Sequence, residues 1–225
     1  MAGMRENIRV GMDRPSKTKK AVSSKLVRRV RLLQTSSDNS STPVPFIVGP
    51  DERFLVVRGA GSGGGVFPNA TDGAGGAGGY FKSWVPVLPG ETLRLVTGLG
   101  IDTLVTRADG TVIAIARAGG AGNNSVNGKG GTAQGQIAIP GQDGSFVDLG
   151  GGTKLCDGGA LLAESNISPV YSMRTNPDNL RVYGKGASST AKATGYGSGG
   201  GKLNGVMRPP SGGVLILELY TGDPR

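Results

Sequence analysis

The sequence predicts a mostly β protein: a glycine-rich, β-sandwich-like body with long glycine loops, preceded by a basic N-terminal arm. Three observations predict it. Short apolar or alternating runs recur between turn signals. Glycine reaches 42 of 225 residues, more than twice an ordinary share. Charge and glycine are also segregated. Residues 1–50 hold ten basic against three acidic side chains and three glycines, and the other 39 glycines follow. This sets an anchoring arm and linker at 1–50 and a glycine-rich β domain at 51–225.

The arm carries Arg5, Arg9, Arg14, Lys17, Lys19, Lys20, Lys25, Arg28, Arg29 and Arg31. Within it, Leu26, Val30 and Leu33 are spaced as on one face of a short amphipathic helix capped by Ser23 or Ser24. The alternation of Val30 and Leu32 with arginine also suits a strand, and the helix is the preferred reading. Thr35–Pro45 reads as a polar linker ending in an X-Pro pair. Clustered cations could contact nucleic acid, but no aromatic precedes Phe46, so base stacking is not expected. Docking on a neighbouring protein is the preferred role, with nucleic-acid contact and a solvated tail as alternatives.

The body is expected to open with a strand at Phe54–Arg58, followed by a glycine tract over 59–79. Tyr80–Leu88 and Thr92–Val96 flank a tight Pro89-Gly90-Glu91 connection. Leu104–Arg107 and Thr111–Ala116 flank Asp109-Gly110, the clearest hairpin signal. A second tract, 119–135, leads to short strands at Gln136–Ile139 and Phe146–Leu149. Weaker strand signals sit at Pro169–Met173 and Leu180–Tyr183, and Gly158–Ser165 could turn once as helix. A third tract, 195–201, precedes Val214–Tyr220. That closing strand is apolar enough to be buried on both faces or at a chain contact.

The residue inventory argues against catalysis. Histidine is absent, which removes the commonest general base and metal ligand, and Cys156 is the single cysteine. Gly59-x-Gly61-x-x-Gly64 follows a strand, but Pro68 and Gly73 stand where a dinucleotide fingerprint needs a helix. Gly197–Lys202 imitates a phosphate loop, yet Leu203 stands where the magnesium-binding hydroxyl should be. Asp143 and Asp148, and Asp102 and Asp109, lack calcium-loop spacing. No enzyme activity, cofactor or metal is expected. No apolar run is long enough to span a membrane, and the charged N-terminus lacks a signal-peptide core, so assembly in a cytosol without membrane insertion is expected.

From Phe54 onward the order of features resembles the glycine-rich domain of bacteriophage tail-fibre and tail-tip proteins. The residues that carry the likeness are the strand running into a tract (Phe54–Gly65) and the tract ending in an aromatic (Gly73–Tyr80). The Pro-Gly turn with its strand (Val87–Gly98), a strand running into Ala-Gly-Gly (Ile115–Gly120), the Gly-Tyr-Gly tract (Gly195–Gly201) and the closing strand (Gly212–Tyr220) complete it. The match covers about three quarters of the chain and departs at 98–102 and 154–190. The resemblance implies a virion structural protein, oligomeric and trimeric if it forms a fibre or knob, with other virion proteins and a host surface receptor as partners. It implies no catalytic residues. Polar loop tips at Asn69, Asn123, Asn124 and Asn127, together with Tyr196, are then the candidate receptor contacts. A head-decorating or minor capsid protein, its arm against capsid or packaged nucleic acid, is the alternative.

Overall fold

A computed structural model of the chain describes residues 24–32, 42–161 and 184–225. Arg5, Arg9, Arg14, Lys17, Lys19 and Lys20 lie outside the described residues, as do the strand signals at Pro169–Met173 and Leu180–Tyr183. The fold is mostly β, with several sheets and, among the described residues, no helix.

Two five-stranded antiparallel sheets form one half of the body. The first runs in the order Leu26–Leu32, Val214–Tyr220, Phe54–Ala60, Tyr80–Pro86, Ile137–Ile139. The second runs Val44–Ile47, Thr92–Val96, Thr103–Arg107, Val112–Ala116, Ala133–Gln134. Alternate residues of both sheets meet in one apolar core. Leu55, Val57, Phe81, Leu215, Leu217 and Leu219 enter from the first, and Leu93, Leu95, Val105, Ala114 and Ala116 from the second. Val214–Tyr220 is buried on both faces because it pairs on both sides and lies under the core on one face and Ala77, Tyr80 and Leu161 on the other.

The expected turns close these strands. Gly90 takes a φ of 77° and donates to the Val48 carbonyl, while Glu91 caps the turn through the Leu88 amide. Gly110, at φ 90°, turns the Asp109-Gly110 hairpin, where Asp109 Oδ1 accepts the Thr111 amide.

The arginine-rich segment expected as a helix is instead the strand Leu26–Leu32. It pairs with Val214–Tyr220 from Leu26↔Tyr220 to Leu32↔Leu215. The reason is tertiary: as a strand, Val30 and Leu32 reach the core, and the exposed edge of the closing strand gains a partner. Two buried carboxylates hold it. Arg28 reaches Glu52 at 2.9 Å and lies 4.5 Å over Phe46, and Arg29 reaches Glu218 at 2.6 Å. Arg28 also donates to the Ile47 carbonyl, tying the edge of one sheet to the edge of the other. Val44–Ile47, part of which the sequence offered as linker, is likewise an edge strand, where Pro45 is tolerated. The described part of the other helix signal, Gly158–Leu161, has no helix.

Beyond the sheets the core changes from side chains to backbone. Past the last pair of Phe54–Ala60 with Tyr80–Pro86, Gly61 still donates to Gly79 and Gly64 to Gly76, while Ser62 and Gly63 between them donate to Ile101 and Ser211. From there, amides of Gly75 to Gly79 donate in turn to Gly200, Gly120, Gln142, Gly197 and Arg117, at 2.7–3.0 Å. The direction repeats every third residue, as in an extended helix of three residues per turn with no internal hydrogen bonds. The carbonyls of Ala74, Gly75, Gly76, Ala77 and Gly79 accept in turn from Gly128, Gly159, Gly64, Gly131 and Gly61. One glycine segment is thus ringed by six others, and its backbone groups are satisfied between segments. Glycine is required by contact. A Cβ on Gly75 would overlap the Gly64 carbonyl, and one on Gly78 the Gly61 carbonyl.

Candidate functional site

Past the glycine bundle, four loops gather around Asp72. The chain turns at Phe67–Ala70 and returns through Thr71 and Asp72 into Gly73–Ala74, which pairs with Gly201–Leu203. Asp72 is about 1% exposed. Its Oδ1 accepts the Asn204 amide at 2.6 Å and its Oδ2 the Lys154 ammonium at 2.7 Å. Its own amide donates to Asn124 Oδ1 at 2.9 Å, and Asn124 Nδ2 donates to the Thr71 hydroxyl. Gly205 then donates to the Thr71 carbonyl. One carboxylate and its neighbour therefore fasten the 123–127 loop, the Ser145–Asp157 hairpin and the 203–206 turn to the 66–72 loop.

The Lys154 contact holds the Asp72 carboxyl below its ordinary 3.8, with the Asn204 amide adding to the effect and burial opposing it. The same contact raises Lys154 above its ordinary 10.5. Asp72 is therefore an anion and Lys154 a cation across the neutral range.

Four of the five predicted contact residues come together here. Asn123 Oδ1 accepts the amides of Ser125 and Val126, forming its own loop turn. Asn127 Oδ1 accepts the Phe146 amide at 2.8 Å, which fixes the hairpin to the loop. Asn69 is exposed in the turn that begins at Phe67. Tyr196 lies apart from them, half-buried against the cluster of Ala60, Tyr80 and Ile216 with Arg31 5.1 Å over its ring.

The sequence did not single out the apolar surface of this end. Among the described residues, seven of the thirteen exposed large apolar side chains belong to these four loops. Phe67 and Val126 stand on the first two, and Val206 and Met207 on the turn after Asn204. On the hairpin, Val147 pairs directly with Leu155 on the outer face and Leu149 heads the turn, while Phe146 and Cys156 face inward. Cys156 Sγ reaches the Gly73 carbonyl at 2.9 Å, and burial raises its pKa above the ordinary value. A strand was expected at Phe146–Leu149 but not at its partner Lys154–Asp157, and no periodicity reveals which face of a short hairpin has a body behind it.

At the opposite end, the first described residues, Ser24 and Lys25, meet the C-terminal segment. Ser24 Oγ donates to the Gly222 carbonyl at 2.7 Å, Lys25 donates to the Thr221 hydroxyl, and Thr221 donates back to the Lys25 carbonyl. A shallow cleft opens there between Lys25, Leu26, Val27, Asp51, Arg53 and Thr221. Of the predicted anchoring residues, Arg28 and Arg29 spend their charges on Glu52 and Glu218, while Lys25, just before the strand, and Arg31, on it, are exposed.

Compared with known proteins, the chain matches no family model and no curated protein.

Proposed function

We propose that the chain is a structural component of a bacteriophage particle, a tail or fibre appendage that docks through its basic N-terminal arm and displays a glycine-rich, sandwich-like β body for attachment to a host surface. The observation that carries this reading is the two-ended layout. The arm base and the C-terminus are pinned together at the sheet end, and the Asp72-centred loops stand at the far end of the glycine bundle. The ribbon from Phe54 to Val66 runs about 40 Å at ordinary extended-chain rise. A protein that anchors at one end and presents loops at the other needs such a spacer. A core of interlocked backbone makes it stiff without needing large side chains.

The role is non-enzymatic. The polar side chains at the loop end hold loops to one another rather than converging on a reactive centre. The working state is an oligomer, taken as a trimer, in contact with other virion proteins. Arg28 and Arg29 pair within the chain, which favours protein docking over phosphate binding for the arm.

Cross-linking residues 1–45 to their neighbours in intact particles tests the assignment. Links to tail or fibre-base proteins are expected. Links to packaged nucleic acid or the inner capsid surface would replace it with a head-decorating or minor capsid role.

A further inference from the structure

The sequence contains two Asn-Gly pairs, Asn127-Gly128 and Asn204-Gly205, and the fold treats them differently. We infer that Asn204-Gly205 is a site of spontaneous covalent modification, where the asparagine converts to aspartate and isoaspartate, and that the Asp72 junction is the catch that holds this conversion back. The inference does not depend on the attachment reading.

In this chemistry the backbone nitrogen of the following residue attacks the asparagine Cγ. The N–Cγ bond forms and the nitrogen's proton passes to solvent. The Cγ–Nδ2 bond breaks, and ammonia leaves with a proton taken from solvent. Water then opens the cyclic imide at either carbonyl, giving aspartate or isoaspartate. Glycine in the following position eases the attack, because no Cβ crowds the nitrogen and the backbone turns freely. Two conditions follow: the attacking N–H must leave its acceptor, and the side chain must be able to swing onto it.

Asn127-Gly128 is locked on both counts. Asn127 Oδ1 accepts the Phe146 amide at 2.8 Å, Gly128 is buried, and its N–H donates to the Ala74 carbonyl at 2.9 Å. A Cβ on Gly128 would overlap the Gly120 carbonyl, so the backbone there has no room to turn.

Asn204-Gly205 is the two-residue turn between Gly201–Leu203 and Val206–Arg208, with φ of 49° and 76°. Both residues are exposed, and a Cβ on Gly205 would meet nothing within 4 Å. Two backbone bonds hold the turn onto the 66–72 loop. The Asn204 amide donates to Asp72 Oδ1 at 2.6 Å, and the Gly205 N–H donates to the Thr71 carbonyl at 3.0 Å. The second bond occupies the attacking nitrogen itself, and the first keeps its neighbour in place. Conversion therefore waits on local opening of the turn. Its product sets a new carboxylate beside the Asp72 anion, and isoaspartate also adds a methylene to the backbone of a two-residue turn. Like charge and altered length both oppose re-closure, so a transient opening becomes a lasting loss of one fastening of the loop end.

The test incubates the full chain in mildly alkaline buffer and follows conversion at 127 and 204 by peptide mass spectrometry, with isoaspartate read by enzymatic methylation. In denaturant both pairs should convert at similar rates. In the folded chain position 204 should convert while 127 stays intact. Asp72→Ala should speed conversion at 204 at least about tenfold. Asp72→Asn, which keeps an oxygen for the Asn204 amide, should speed it less. Asn127 reports folding: if it converts in Asp72→Ala, that variant has lost the fold and Asp72→Asn carries the comparison. Conversion at 127 as fast as at 204 in folded wild type, or equal rates at 204 in wild type and a folded Asp72 variant, overturns the inference.

Discussion

Lys154 Nζ lies 2.7 Å from Oδ2 of Asp72, a carboxylate about 1% exposed that also accepts the Asn204 amide. The pair joins positions 82 residues apart in the chain and sets three loops against a fourth. Asp72→Ala should leave the Asn204 amide and the Lys154 ammonium without their acceptor. The expected cost is about 2 kcal/mol. Amide hydrogen exchange should rise across 123–127, 145–157 and 203–206, with the glycine bundle unchanged. Equal protection of those loops in the variant would show that they stand independently.

The same pair predicts a pH window. The Asp72 carboxyl sits below 3.8 when folded, so its contribution is complete above that value and fades as pH falls through the lowered one. Lys154 sits above 10.5, so its contribution is complete below that value and is lost as pH rises through the raised one. The Asn204 amide resonance should therefore stay fixed across the neutral range and shift only near the acid and alkaline limits.

Glycines of the bundle should be intolerant for a steric reason. Gly78→Ala places a methyl group against the Gly61 carbonyl and should cost about 3 kcal/mol or more, because backbone rather than a side-chain tip must move. Gly222→Ala meets open space and should stay within about 0.5 kcal/mol of wild type. Urea denaturation of the two variants checks the contrast. Equal midpoints would mean that the segments are less tightly packed than their hydrogen bonds require.

Truncation should separate docking from folding. Removal of residues 1–23 leaves Ser24 on Gly222 and the Leu26–Leu32 strand intact, and should keep the melting temperature while abolishing incorporation into particles. Removal of residues 1–32 takes Arg28 and Arg29 from buried Glu52 and Glu218 and opens the edge of Val214–Tyr220. That product should aggregate, which size-exclusion chromatography would show.

Cys156 should be inert in the folded chain. Burial raises its pKa and encloses its sulfur against Gly73, so an aromatic disulfide reagent should label it at neutral pH only after denaturant is added.

Much of the β framework was legible because local pattern and tertiary need agree there. Thr92–Val96 and Val214–Tyr220 fall on the expected residues, and the Pro89-Gly90 and Asp109-Gly110 turns lie where glycine supplies the required backbone. The arginine-rich segment departed because its apolar spacing fits either a helix or a strand. The free edge of a strand nearly two hundred residues away, with Glu52 and Glu218 waiting beside it, decided the matter. At the loop end, the asparagines were visible as polar tips but not as the inward-facing pins most of them are.

By itself, the sequence determined that the chain would be built from short strands and close-packed glycine segments, because glycine content and turn chemistry are local properties. Only the tertiary structure decided which glycine segment lies at the centre and which side chains join or cover the loops. A backbone hydrogen bond carries no residue identity, so the six neighbours of Gly75–Gly79 are fixed by geometry across the whole fold.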